Sequence, residues 1–255
     1  MKNMLFIINS ASGKIALADT LMNVCEIFSN AGYDMKIHLT KGEGDIENLI
    51  KDEGANYDLI VCCGGDGTLC QTILLVMELS AEQREKVSVG VVPMGTGNDF
   101  VRNFEGKDAF LDIGAQLDGQ MQKVDLIRYN DHLCVNMINI GFDCEVAAKA
   151  AEWKKKPLVS GPAAYIMGIL SEFAKPMGNR MSFRWADGNT MTGKYLLCTI
   201  ANGSFCGGGF CSSPEAALND GLMDVGIVQM IPRRKFVGIL PKYKTGTYLD
   251  TNLGK

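Results

Sequence analysis

Asp58-Leu59-Ile60-Val61-Cys62-Cys63-Gly64-Gly65-Asp66-Gly67-Thr68 is the stretch that decides the fold. The apolar run Leu59–Cys63 is short and stops at a glycine cluster, the pattern of a strand buried on both faces of a parallel sheet. Three glycines at positions 64, 65 and 67 let the backbone adopt positive φ or come close to a ligand, which a plain turn does not need. Leu69–Leu79 continues with helical periodicity. The glycines therefore lie between a strand and a helix N-terminus, where unpaired amides and the helix dipole favour an anion. Asp66 adds a carboxylate able to hold Mg²⁺ through water. Thr68 can donate to a phosphate or cap the helix.

Outward from this loop, short apolar runs alternate with helical patterns. Met4–Ile8, Met35–Leu39, Leu59–Cys63 and Val87–Val92 read as strands, and Ile15–Asn30, Ile46–Lys51 and Leu69–Leu79 as helices. That rhythm predicts a parallel sheet with helices on its faces, and in such sheets chemistry gathers in the loops at the carboxyl ends of the strands. Two further loops there are unusual. Asn9-Ser10-Ala11-Ser12-Gly13-Lys14 brings hydroxyls and amides to a helix start, but lacks the upstream glycine of a Walker A loop; its alternative reading is an ordinary N-cap. Pro93-Met94-Gly95-Thr96-Gly97-Asn98-Asp99-Phe100 again follows an apolar strand, and successive crossovers should set it beside the Gly64–Thr68 loop. Neither glycine loop completes Gly-x-Gly-x-x-Gly, since Cys70 and Phe100 occupy the last positions, which disfavours a dinucleotide oxidoreductase.

After about residue 120 the rhythm changes. Lys123–Tyr129 and Leu133–Ile140 flank Asn130-Asp131, and Arg180–Trp185 and Met191–Ala201 flank Asp187-Gly188-Asn189, two expected β-hairpins. A helical insert over Cys144–Lys175 lies between them. A strand over Met223–Gln229 and a helix over Arg233–Tyr248 follow. The expectation is an α/β nucleotide-binding domain over residues 1–124 and a mainly antiparallel β domain over 125–255.

Bulk properties narrow the function. A net charge of −4 over 255 residues lacks the basic surplus that binding nucleic-acid phosphates requires, so small molecules or lipids are the expected partners. The nine cysteines form no Cys-x-x-Cys pair, which removes the common zinc and thioredoxin patterns. With no secretory signal in the opening residues, a cytoplasmic location is expected. Leu158–Ala174 is interrupted by Gly161, Pro162, Gly168 and Glu172 and reads as a helix, not a transmembrane segment.

The ordered pair Gly-Gly-Asp-Gly-Thr and Pro-x-Gly-Thr-x-Asn-Asp-Phe resembles the diacylglycerol kinase catalytic domain family, which includes sphingosine, ceramide and bacterial lipid kinases and is distantly related to NAD kinases. The resemblance extends to the Asn-x-x-Ser-Gly-Lys start, to Thr40, to Asn139-Ile140-Gly141-Phe142-Asp143 and to the region Gly207–Asp224. It implies a kinase that uses ATP and Mg²⁺ to phosphorylate a lipid hydroxyl at a membrane surface, and it admits a homodimer. By the same resemblance Asn9, Ser10, Ser12, Gly13, Lys14, Thr40, Gly64, Gly65, Asp66, Gly67, Thr68, Gly95, Thr96 and Asn98 line the ATP site. Asp66 and Asp99 would organise the triphosphate and its catalytic Mg²⁺, and Asp125 joins the water network around that metal. Asp125 also reads as a salt-bridged strand aspartate. In Pro214–Val225, Asp220 with the main-chain oxygens of Ala217 and Leu222 would hold a structural Mg²⁺, although a bare Asn-Asp-Gly is also a common turn.

Bacterial members of the family continue beyond a segment like Phe236–Tyr243 into strands bearing an Asp-Gly-Glu motif with the general base. Nothing equivalent follows here, and truncation of the second domain is the expectation. The alternatives are an NAD kinase, which shares Gly-Gly-Asp-Gly-Thr, and a nucleotide-binding module without kinase activity. Leu158-Val159 and Ala163–Ile169 could line an acyl cleft or pack a core. Trp153-Lys154-Lys155-Lys156 could touch anionic headgroups or form a solvated helix end. His38 and His132, both in strand-like segments, are expected to be satisfied structural residues and not catalytic bases.

Overall fold

The computed structural model describes residues 3–11, 14–112, 114, 119–157, 159 and 161–250. They form two compact units: residues up to Val124 with Arg128–Val135, and Asp125–Ile127 with the residues from Asn136 onward.

The first unit is built on β1 (Asn3–Ile8), α1 (Lys14–Asn30), β2 (Asp34–Leu39), α2 (Asp45–Glu53), β3 (Leu59–Gly64), α3 (Asp66–Glu78), α4 (Ala81–Arg84) and β4 (Ser88–Pro93). Its four strands are parallel in the order β2-β1-β3-β4. The two central strands are apolar at successive positions because the sheet is covered on both sides. Met4, Phe6, Ile8, Val61 and Cys63 pack with Val24 and Phe28 of α1 on one face. Leu5, Ile7 and Ile60 pack with α2 and α3 on the other, against Ile46, Leu49, Ile50, Leu75 and Val76. This is the period-two alternation of a doubly covered sheet. Burial pushes the thiols of Cys62 and Cys63 up to about 12, so they act as small hydrophobes and not as nucleophiles. The expected α/β class is what the chain forms.

Beyond the parallel sheet, β5 (Ile127–Tyr129) and β6 (His132–Cys134) make a short hairpin, with Asn130 in the left-handed region at φ 48°. The second unit continues with β7 (Met137–Gly141), α5 (Phe142–Lys154), α6 (Gly161–Phe173), β8 (Asn179–Arg184), β9 (Thr190–Ala201), β10 (Phe205–Cys206), β11 (Phe210–Cys211), β12 (Asp224–Gln229) and α7 (Arg233–Thr245). Long β9 is the spine: β12 and β7 flank it antiparallel, and β8 pairs with its first half.

Several expected boundaries move: the strand read over Lys123–Tyr129 covers only Ile127–Tyr129, and the insert read over Cys144–Lys175 is two helices, α5 and α6. The arm read as one strand over Leu133–Ile140 divides: β6 stays with β5, whereas β7 joins β9 in the register Met137↔Ala201. The break lies at Asn136, whose carbonyl accepts from the amides of Asn202 (2.8 Å) and Gly203 (3.1 Å) and whose side chain donates to Phe205 O. The last helix stops at Thr245, not Tyr248, because Gly246 takes the left-handed C-cap (φ 78°) and Thr247–Asp250 turn as a 3-10 helix. Among the described residues no helix is long and apolar enough to cross a membrane.

Candidate functional site

The carboxyl ends of β1, β2 and β3 are tied together by side chains of the sequence-predicted loops. Asn9 extends the ladder by donating its amide to Cys63 O (2.9 Å) and donates its Nδ2 to Thr68 Oγ1 (2.9 Å). Ser10 donates its amide to Thr40 Oγ1 (3.1 Å) and its hydroxyl to Thr40 O (2.5 Å), while Thr40 donates its amide to Ile8 O. Asn9, Ser10, Thr40 and Thr68 thus form one connected patch. Lys14 opens α1; Ser12 and Gly13 lie outside the described residues.

The glycines have separate reasons. A Cβ on Gly64 would lie 2.8 Å from the Thr68 side chain, so glycine there lets Thr68 fold back over the loop. A Cβ on Gly95 would lie 2.4 Å from Gly65 Cα, so the two glycine loops touch backbone to backbone. Asn98, at φ 50°, braces the second loop with both ends of its amide. Oδ1 accepts from Gly95 N (2.9 Å) and Nδ2 donates to Gly95 O (3.0 Å). Asn98→Ala is expected to cost about 2 kcal/mol, from two lost hydrogen bonds and an unfavourable left-handed alanine. A lower denaturation midpoint at unchanged m-value would show it.

Two carboxylates meet across this contact. Asp66, the first residue of α3, accepts from Phe100 N through Oδ1 (3.0 Å). Its Oδ2 and the Oδ2 of Asp99 both lie within 3.2 Å of the point a Cβ on Gly97 would occupy, so Gly97 leaves space into which both carboxylates face. Asp99 is buried beside Arg102 (Nε–Oδ1 3.5 Å), whose guanidinium also donates to Gly97 O. The sequence reading missed Arg102; its signal was the i,i+3 spacing from Asp99. The first helical bond of α3 is Leu69 N to Gly65 O. Gly65 has no side chain to cap the amides at 66–68, and Gly67 and Thr96 are exposed. Converging carboxylate oxygens suit a hard divalent cation, and a row of helix-start amides suits a phosphate chain.

In the second unit, Asp125 organises the other candidate site. Its amide donates to Leu218 O (2.6 Å), its Oδ2 accepts from Gly221 N (2.8 Å), and its carbonyl accepts from Asn202 Nδ2 (2.7 Å). Asp220 Oδ1 accepts from Leu222 N (2.9 Å). Asp125 thus braces, from outside, the loop that carries Ala217, Asp220 and Leu222. Burial raises the Asp224 carboxyl, with added repulsion from Asp220 and Glu215, so the loop is a region of negative potential. Among the described residues no three His, Cys, Asp or Glu side chains converge on a metal position. The Asp220–Leu222 bond is the side-chain turn that an Asn-Asp-Gly sequence commonly forms.

Both histidines have structural surroundings. His38 Nε2 lies 2.7 Å from Asp45 Oδ2, and that bond, with a further one from Lys41 N, holds Asp45 below the usual carboxylate range. His132 packs beside the Tyr129 ring.

A second feature of this unit went unread in the sequence. An apolar cavity of about 30 Å³ is lined by Phe142, Val146, Ile169, Leu196, Phe236 and Leu240, among others, and includes Asp143. Asp143 Oδ2 accepts from Tyr243 OH (2.7 Å), a pair separated by a hundred residues. Burial pushes the Asp143 carboxyl up to about 6, against the opposing effect of the Tyr243 hydrogen bond. Between the usual carboxylate value and about 6, the folded protein holds a proton the unfolded chain has released. The resulting stability is full at low pH and lost as pH rises through about 6. Asp143→Asn keeps the acceptor for Tyr243 and is expected to remove this slope, gaining on the order of 2 kcal/mol over wild type at about pH 8. Denaturant midpoints of both proteins at about pH 5 and about pH 8 check it.

With this geometry in view, the comparisons are specific. The diacylglycerol kinase catalytic domain family matches residues 3–129, and the YegS C-terminal NAD kinase beta sandwich-like domain matches residues 136–253. An Alcanivorax borkumensis protein named "Probable lipid kinase YegS-like" is 31% identical over 217 residues, covering 85% of this chain and 70% of its own. A Pseudomonas aeruginosa (strain PAO1) protein of the same name is 34% identical over 203 residues, covering 78% and 64%. The chain thus spans about two thirds of the length of these curated relatives. A crystal structure named as a diacylglycerol kinase from Bacillus anthracis strain Sterne shares the fold, with a TM-score of 0.71 at 20% identity over 94% of this chain and 77% of its own. Matched by family models in both halves and by these relatives at over 30% identity, the chain belongs to the diacylglycerol kinase catalytic domain family, with YegS-like proteins as its relatives.

Proposed function

We propose that this protein transfers the γ-phosphoryl group of ATP to the hydroxyl of a lipid, diacylglycerol or a close relative, working in the cytoplasm at a membrane surface. The observation that carries the reading is the contact of the Gly65 and Gly95 loops, which aims the Asp66 and Asp99 carboxylates at one point beside the open amides of α3. Phosphoryl transfer asks for positioning and charge neutralisation more than for covalent chemistry, and this site is built for both.

In this reading the amides at 66–68 and the hydroxyl of Thr68 bind the phosphate chain, and the Ser10–Thr40 pair holds the adenosine end. Asn98 keeps the second loop rigid. Asp66 and Asp99 would hold Mg²⁺, which supplies charge neutralisation to the triphosphate when bound. Arg102 fixes the Asp99 carboxylate so that it faces the space beside Gly97. Asp220, with the oxygens of Ala217 and Leu222, would hold a second, structural Mg²⁺, and Asp125 keeps that loop in shape.

ADP release measured with Mg²⁺, with and without dispersed dioctanoylglycerol, tests the reading. Lipid should accelerate release, and removing Mg²⁺ should abolish it. Release that is indifferent to lipid and accelerated by NAD would overturn it.

A further inference from the structure

Thr40 ends β2 and opens a turn, Lys41-Gly42-Glu43-Gly44, that leads into α2. Both glycines of that turn have positive φ, 150° for Gly42 and 81° for Gly44. A Cβ on either would meet nothing within 4 Å, so close packing is not what selects glycine there. The glycines leave this largely exposed turn free to open unless something outside it holds it shut.

Asp45 is placed to do so. The first residue of α2, it takes two donors on one oxygen, the Lys41 amide at 2.8 Å and His38 Nε2 at 2.7 Å. The first bond closes the turn on itself. The second ties the closed turn back to β2, two residues before Thr40. The bond from His38, and then the one from the Lys41 amide, hold the Asp45 carboxyl below the usual carboxylate range, so it carries its charge at neutral pH. Thr40 thus lies between the two residues that Asp45 grips. Thr40 in turn grips Ser10, accepting its amide on Oγ1 (3.1 Å) and its hydroxyl on the carbonyl oxygen.

Ordinary structural roles do not account for this arrangement. An acid at a helix start complements the dipole, but Glu47 in the same turn of α2 does that, and the Asp45 oxygen turns back to Lys41. Strapping α2 to the edge strand β2 is already done by the Lys36–Glu53 pair at the other end of the helix.

We infer that His38 and Asp45 are positioning residues for the nucleotide: by closing the Lys41–Gly44 turn they fix Thr40, and through it Ser10, at the adenosine end of the site. The inference rests on the ATP-dependent reading of that site.

The test compares ATP affinity by calorimetry, and transfer kinetics, in the full chain and its variants. Asp45→Ala removes both bonds and should weaken ATP binding roughly tenfold. The loss should appear in KM for ATP, with kcat at saturating ATP unchanged, because the Asp66 and Asp99 carboxylates are untouched. His38→Leu removes one of the two bonds and should weaken ATP binding roughly threefold. His38→Gln keeps an N–H donor for Asp45 and should restore wild-type affinity. Lys36→Gln is the control: it loosens α2 on β2 but leaves the turn closed, so ATP affinity should not change. Exchange of the Ser10 amide, followed by NMR without nucleotide, should be faster in Asp45→Ala and His38→Leu and unchanged in Lys36→Gln. ATP affinity of Asp45→Ala equal to wild type, or an equal loss in Lys36→Gln, would overturn the inference and leave the ATP reading standing. Faster Ser10 exchange in Asp45→Ala, with no ATP bound by any of the proteins, would support the hold on Thr40 and Ser10 and sink the ATP reading alone.

Discussion

Asp66→Asn is expected to lower phosphoryl transfer by roughly 100-fold or more, the scale on which removal of one preorganised charge-stabilising group acts, while leaving the unfolding midpoint unchanged. The structure gives both halves of that expectation. Asp66 Oδ1 accepts from Phe100 N and fastens the Pro93–Phe100 loop to the start of α3; an asparagine Oδ1 makes the same bond, so the fold is retained. The Oδ2 that shares the space beside Gly97 with Asp99 becomes an uncharged amide, which cannot hold a divalent cation and instead points donor hydrogens at it. The expected pattern is a fall in kcat with ATP still bound. An Asp66→Asn protein with undiminished transfer would remove the assignment of this loop as the catalytic one.

Gly95→Ala is expected to be destabilising by about 3 kcal/mol or more and to abolish ATP binding. The added methyl would sit 2.4 Å from Gly65 Cα and 2.8 Å from Asn98 Oδ1. The first of these is a backbone atom, which no rotamer change can move away, so the two loops must separate. Separation parts the Asp66 and Asp99 carboxylates and breaks the Asn98 brace. Gly67→Ala is the matched control. It lies in the first turn of α3 with nothing within 4 Å of the added methyl, so stability should be kept. A stable Gly67→Ala with weakened ATP affinity would separate close approach of the ligand from close approach of the loops. Equal stability of Gly95→Ala and wild type in chemical denaturation would contradict the packing described here.

Much of the fold was legible because it is local. Leu59–Cys63 followed by glycines could only be a covered strand meeting a helix, and repetition of that unit specified the parallel sheet. The second half was read less well because its pairings are not local. Nothing in Leu133–Ile140 signals that the chain leaves one strand partner at Asn136 for another sixty residues ahead, since the alternation of side chains is the same on either course. Asp143 and Tyr243 lie a hundred residues apart, and no spacing rule joins them. Arg102 was readable from Asp99 but was overlooked among ordinary surface cations. The apolar run Ala163–Ile169 reads as lining an acyl cleft or packing a core; only the pattern of exposure separates Ile166 and Leu170 from Tyr165 and Ile169.

The most direct test of the central claim is transfer of labelled γ-phosphate from ATP, with Mg²⁺, to a mixed panel of diacylglycerol, sphingosine, phosphatidylglycerol and NAD, with Asp66→Asn run in parallel. The expected result is label on a lipid, above all on diacylglycerol, and none in the Asp66→Asn reaction. Label on NAD, or ATP binding with no labelled acceptor, would contradict it.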